Sequence, residues 1–279
     1  MPVSKVARLG EQTGMARTPT PLHYYNLGTG QFDETTTYPF TGATPTRFYL
    51  GAGNALTPGA PPLLSTGDTI IWSPSGNPCG RPIDQWSMGG ISIPAHSAGL
   101  LAPCADNDGG SQSGPWTTSY TSAAFAHPEA VAGPITATVY ASSTTPETEL
   151  VAELEDVTPD GTSYPLTEGA LLGSLRSVDQ SRSWTAGGMT LLPYHPYTEA
   201  SARPVTPGSV TGYQIELFPT LVTIGAGDRL RLTLSTTDTP HLTPLPEQLP
   251  NLAGGVYTVE HSASAPSSLT LELLGPGGS

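Results

Sequence analysis

Apolar and polar residues alternate one by one through much of the second half of this 279-residue chain. Ile135, Ala137 and Val139 alternate with Thr136, Thr138 and Tyr140, and Leu150, Ala152 and Leu154 with Val151, Glu153 and Glu155. Leu230, Leu232 and Leu234 alternate with Arg229, Arg231 and Thr233, and Leu269, Leu271 and Leu273 with Thr270 and Glu272. A period of two with one polar face is the pattern of half-buried antiparallel strands. Asp160-Gly161 between Val151–Val157 and Thr162–Thr167 predicts a hairpin turn. Glycine and proline number 32 and 30, about twice average usage, which suits many short strands and opposes a helical bundle.

No stretch predicts a long helix. Glu168–Arg176 has room for a turn or two, weakened by Gly169 and Gly173. In the first half Leu22–Leu27, Arg47–Leu50 and Thr69–Trp72 predict short strands. Pro219, Gly225 and Gly227 punctuate the chain between Tyr213–Phe218 and Asp228–Ser235. Strands without intervening helices imply two packed antiparallel sheets, best matched by an all-β jelly-roll sandwich over residues 22–274. Residues 1–21 then form a linker from an upstream domain and 275–279 a tail. Two tandem immunoglobulin-like domains are the alternative architecture for this length.

The net charge of −13, with Lys5 the sole lysine, repels phosphate backbones and argues against nucleic-acid binding. No apolar run approaches the roughly 18 residues of a spanning helix, so no membrane partner is expected. Met1 to Pro21 lacks the apolar core of a signal peptide. The chain is then either cytosolic or a piece whose export signal lies upstream. Scarce lysine with abundant Thr, Ser, Gly and Pro favours the second, and an extracellular location is expected.

Residues 73–118 form a long loop rich in Pro, Gly, Ser and Asn that also carries Trp86, Met88, Ile91, Leu100 and Leu101. That is too apolar for a linker, and it predicts an ordered segment packed on something. The two cysteines, Cys79 and Cys104, fit a single disulfide within this loop; two unrelated buried thiols are the other reading.

Four blocks in order resemble one family. They are Gly133-Pro134-Ile135 leading through Thr136–Ser142, then Leu154-Glu155-Asp156-Val157-Thr158-Pro159-Asp160-Gly161, then Ile215-Glu216-Leu217-Phe218-Pro219-Thr220, and finally Gly227-Asp228-Arg229-Leu230-Arg231-Leu232. Together they resemble the C-terminal domain of X-Pro dipeptidyl-peptidases and cocaine esterase-like (CocE/NonD) hydrolases. Leu22–Gly28, Phe48-Tyr49-Leu50 with Ala55-Leu56, and Gly89-Gly90 are fainter matches. The resemblance implies a galactose-binding-like jelly roll packed on a separate α/β-hydrolase domain that holds a Ser-His-Asp triad. It implies a non-catalytic role that shapes the active-site mouth of a parent dipeptidyl-peptidase or esterase. Trp86, Met88, Gly89, Gly90, Ile91 and Leu100 are then expected at the face toward the catalytic domain. The chain departs from the family at Cys79, Cys104 and the loop around them.

A serine hydrolase needs a G-x-S-x-G elbow between a strand and a helix. Gly110-Ser111-Gln112-Ser113-Gly114 has glutamine at the middle position and no such context, so no catalytic residue is assigned. None of His23, His96, His127, His195, His241 and His261 stands at metal spacing from another, and each is expected at a surface or cap. Asp106-Asn107-Asp108-Gly109 resembles part of a calcium loop without the rest of the pattern. No cofactor is expected, a structural calcium there being the sole candidate. Arg229 or Arg231 has the option of pairing with Asp156 or remaining solvated. Trp184, Tyr194 and Tyr197 are candidates for a sugar platform, as in a stand-alone carbohydrate-binding module, or for loop anchoring. An adhesion or oligomerisation domain is a third functional class.

The cysteine expectation has a direct test. Closing a loop of about 25 residues contributes roughly 3 kcal/mol in the loop-entropy model. Alkylation of the denatured protein, made in an oxidising compartment, should add no mass without reductant and two alkyl groups with it.

Overall fold

The computed structural model describes residues 19–20, 22–74, 114–238 and 242–275. Cys79, Cys104, Trp86, Met88, Gly89, Gly90, Ile91, Leu100, the Asp106–Gly109 segment, His96 and His241 lie outside the described residues.

The alternating segments form strands, and the strands form a two-layer all-β sandwich. The longest is β7 (Glu129–Ser143), which pairs antiparallel along one side with β12 (Thr211–Ile224). Its other side is shared end to end by β14 (Val256–Ser262) and β16 (Ser268–Leu274). Beyond these lie β5 (Asp68–Ile71), paired to β14, and β3 (Thr44–Gly51), paired to β16. Next to β3 runs the short β4 (Ala55–Thr57), which meets β6 (Thr117–Ser122) in parallel and carries the chain into the second layer. There β13 (Arg229–Ser235) lies between β6 and β8 (Glu149–Val157), and β9 (Ser163–Leu172) closes the order.

Leucines of β8 and β13 (Leu150, Leu154, Leu230, Leu232, Leu234) meet Ile135, Val139, Tyr213, Ile215, Leu269 and Leu271 in one cluster, all essentially inaccessible to water. Burying each contributes about 2 kcal/mol against chain entropy. Because β3 near one end of the chain pairs with β16 near the other, the two halves share a sheet. The tandem immunoglobulin-like alternative is thereby excluded.

Smaller elements decorate the sandwich. β1 (Leu22–Asn26) and β2 (Gln31–Thr35) make a separate hairpin. β10 (Trp184–Ala186) and β11 (Met189–Leu192) make another, with the Leu191 carbonyl accepting from Thr136 Oγ on β7. The two-residue β15 (Ala265–Pro266) pairs with β14, and the one α-helix among the described residues, α1, spans Leu249–Leu252.

Two corrections to the sequence expectations concern punctuation. Pro219 was expected to bound a strand, yet β12 runs through it, as β7 runs through Gly133-Pro134. The register between the two strands breaks between Leu217 and Thr220, opposite Pro134. Pro219 and Pro134 therefore both sit in the gap of the ladder, where a missing N–H costs nothing. Gly133 supplies φ +114°, which a residue with a Cβ rarely adopts. The second correction concerns Glu168–Arg176. Its first half completes β9, and only Gly173–Leu175 makes a 3₁₀ turn.

The reason for Gly169 is a crossing. β9 packs against β12 with no ladder between them, and a Cβ at Gly169 would fall 1.8 Å from the Glu216 carbonyl oxygen. Nearby, Thr167 Oγ donates to the Phe218 carbonyl at 2.7 Å. Backbone meets backbone here, so no side chain is able to yield. Gly169→Ala should lower unfolding free energy by about 2–4 kcal/mol, read from urea denaturation, whereas Gly161→Ala at the open hairpin should cost about 1 kcal/mol.

Candidate functional site

Two places outside the main core gather buried polar chemistry. The first joins three strands. The Tyr120 hydroxyl on β6 donates to Asp68 Oδ2 on β5 at 2.7 Å, and the same oxygen lies 3.1 Å from His261 Nε2 on β14. His261 Nδ1 is 2.6 Å from Ser65 Oγ in the segment leading into β5. A carboxylate only accepts, so Nε2 carries the proton and Nδ1 accepts from the serine. The order serine, imidazole, carboxylate is that of a serine-hydrolase triad, but the ring nitrogens are exchanged: in the triad the carboxylate holds Nδ1 and the serine meets Nε2. The setting differs too: Ser65 lies in an irregular connection between β4 and β5 rather than on a strand-to-helix elbow. His261 is 1 % exposed, and its contacts tie β5, β6 and β14 together.

The second is a cavity of about 290 Å³ above β8 and β9, walled by Leu171, Leu175, Leu242 and Pro244, with Tyr197 at its rim. Glu149, the first residue of β8, lines it although only 4 % exposed. Trp72 Nε1 donates to Glu149 Oε2 at 3.2 Å. Burial pushes the Glu149 carboxyl up to about 7, with Asp238 and Glu147 adding to the rise against the Trp72 hydrogen bond. Tyr197 holds φ +50°, an uncommon conformation for a bulky residue, and its ring tilts against His195 at 5.3 Å between centroids.

The remaining sequence candidates separate. Tyr194 has the Arg182 guanidinium 3.6 Å above its ring centre, Trp184 leans on Tyr38 at 5.6 Å, and Tyr197 leans on His195. These three aromatics pack on different neighbours and do not stack into one platform. The arginine pairing differs from expectation too. Arg231 Nε lies 3.9 Å from Glu155 rather than Asp156. Asp156 instead shares its corner with Asp228, and burial followed by that charge raises it to about 6. His195 and His261 are buried, contrary to the surface placement expected of them. Both ring nitrogens of His195 face carbonyls, those of Ser177 at 3.0 Å and Gln214 at 2.8 Å. His23 is exposed beside Glu34 at 3.3 Å, as expected. Among the described residues no group of three or more His, Cys, Asp or Glu side chains is placed to hold a metal, and no helix is long and apolar enough to cross a membrane.

Both clusters escaped the sequence. Asp68, Tyr120 and His261 come from three strands far apart in the chain and Ser65 from the connection before the first of them, and no spacing rule joins them. Glu149 precedes Leu150, so alternation assigns it to the solvent face. What covers it arrives from the 3₁₀ turn at Leu175 and the segment around Leu242.

These buried acids fix a pH dependence. Between pH 4.5 and 7 the folded chain keeps a proton on Glu149 that the unfolded chain has released, so stability falls as pH rises through that window. Asp156 acts in the same direction between 3.8 and about 6. Glu149→Gln should therefore raise stability at pH 8 by about 1–3 kcal/mol and change it little at pH 4. Melting curves of both proteins at the two pH values check this.

A model of the X-Pro dipeptidyl-peptidase C-terminal non-catalytic domain matches residues 13–270. Proteins described as serine esterases in Mycobacterium bovis and Mycobacterium tuberculosis are each 28% identical over 244 residues. That match covers 87% of this chain and 36% of theirs, so the chain spans about a third of the length of these relatives. Among solved structures, an aminopeptidase from a marine sediment archaeon (Thaumarchaeota) superposes with TM-score 0.68 at 16% identity, over 97% of this chain and 44% of that one. An α-amino acid ester hydrolase gives 0.65 at 18%, over 90% and 41%. A CocE/NonD family hydrolase from Staphylococcus aureus gives 0.63 at 14%, over 95% and 43%. The structural matches show a shared fold, and the sequence match assigns the chain: it belongs to the family of X-Pro dipeptidyl-peptidase C-terminal non-catalytic domains.

Proposed function

We propose that this β-sandwich serves a serine hydrolase as its non-catalytic C-terminal domain, packing on an upstream α/β-hydrolase domain and shaping the mouth of that domain's active site. The observation that carries the proposal is the family match over residues 13–270 together with relatives whose matched region is only 36% of their length. The parent's reaction is hydrolysis of an ester or an X-Pro amide, and the description of the mycobacterial relatives favours the ester. The residue chemistry agrees with a supporting role. The Ser65–His261–Asp68 contact lacks a nucleophile elbow and is spent on joining strands. Trp86, Met88, Gly89, Gly90, Ile91 and Leu100 are proposed to meet the catalytic domain, on the ground of the family resemblance, the diglycine that lets backbone approach another surface and the apolar residues around it. An extracellular location is proposed from composition.

Treatment of the isolated chain with a fluorophosphonate probe and chromogenic esters and X-Pro amides should give neither stoichiometric serine labelling nor turnover. Turnover that is lost on Ser65→Ala would overturn the non-catalytic assignment. Trp86→Ser with Leu100→Ser should weaken association with a separately produced catalytic domain at least tenfold and leave the melting temperature nearly unchanged. A large loss of melting temperature with unaltered association would place those residues in the domain's own core.

A further inference from the structure

The cavity over Glu149 has a composition that apolar packing does not explain. Its walls are mainly leucine, alanine and proline, with Thr243 and Gln248 as the uncharged polar side chains, yet a carboxyl group that is 4 % exposed lines it. An isolated buried carboxylate is expensive, and cores normally exclude it unless it is paired. One oxygen of Glu149 is fixed by the Trp72 indole N–H. The charges that act on Glu149, from Asp238 and Glu147, are also negative and oppose its ionisation.

We propose that this cavity binds a small apolar primary amine as its ammonium ion, with Glu149 as the counter-charge and the leucine walls holding the hydrocarbon. Three features select that class. A group of nearby carboxylates repels an anion and attracts a cation. The apolar lining excludes a strongly hydrated ion such as a metal and rewards a hydrocarbon body. The volume, about 290 Å³, is roughly twice the 150 Å³ that accommodates benzene in a dry cavity, which suits an aryl-ethyl or branched alkyl group.

Tyr197 supports the assignment independently. Its φ of +50° is a strained choice for a tyrosine, and such strain persists where surrounding structure holds a residue for a purpose. The residue lines the cavity while 56 % exposed, so its ring, tilted against His195, adds an aromatic surface of the kind that attracts cations. The raised affinity of Glu149 for a proton has the same origin as its affinity for an ammonium: either ion relieves a buried negative charge. This binding is a property of the described chain and stands whether or not the domain serves a hydrolase.

The test uses the 279-residue chain and phenethylamine, with 2-phenylethanol as an uncharged partner of matching size, in titration calorimetry at pH 8. The amine should bind saturably at one site, with the alcohol at least tenfold weaker. Glu149→Gln should weaken the amine at least tenfold and leave the alcohol within about twofold. Leu175→Trp, which fills the cavity without touching the carboxylate, should abolish binding of both. Equal affinity for amine and alcohol, absence of saturable amine binding to the folded wild-type chain, or amine binding that survives Glu149→Gln would each overturn the proposal. If Glu149→Gln fails to fold, the amine-to-alcohol ratio on the wild-type chain decides alone.

Discussion

The sandwich depends on β7. It is the strand that pairs with β12 on one side and with both β14 and β16 on the other, so three strands take their register from it. The ladder is interrupted at Gly133-Pro134, and the same level is broken in β12 at Phe218-Pro219 and in the β16 pairing between Leu271 and Leu273. Three neighbouring strands thus shift register together. On either side of the break the inward residues, Val131 and Val222 as well as Ile135, Leu217 and Leu271, stay in one core.

The sheet halves are not equal in what they bury. The first layer is covered on its outer side by the β10–β11 hairpin, which is why Thr136, Thr270 and Glu272 are buried although the alternation marks them polar and outward. Burial raises the Glu272 carboxyl above its ordinary value, as it does those of Glu149 and Asp156. An acidic chain with scarce cations has placed several carboxyls where ionisation is costly. Such placement is a stability cost retained in the fold, and the cavity at Glu149 gives one such cost a chemical use.

Alternation made the strands of the second half legible, because a half-buried strand writes its two faces into the sequence. The β8–β9 hairpin at Asp160-Gly161 and the leucines of β13 and β16 appear where the pattern puts them. The pattern failed where a further segment covers the polar face, as at Glu149 and Glu272, and at His261, a polar residue on the inward face that Tyr257 and Val259 share. It also failed at Gly169, where glycine read as a helix breaker but serves a backbone crossing that no local rule encodes. β14 carries the same alternation, Tyr257 and Val259 against Thr258 and Glu260, over too few apolar residues to stand out, and the β10–β11 hairpin is short, with three- and four-residue strands around Gly187-Gly188.

The unladdered crossing of β9 and β12 has a consequence for assembly. Each is the last strand of its layer, and a terminal strand carries free backbone donors and acceptors that recruit strands from other molecules. Here the two strands meet at Gly169, where backbone lies against backbone, and Pro219 interrupts one of them where a foreign strand would need an N–H. The seam that closes the sandwich thus also withholds its templating edges from polymerisation, and a chain that opened there would expose both at once.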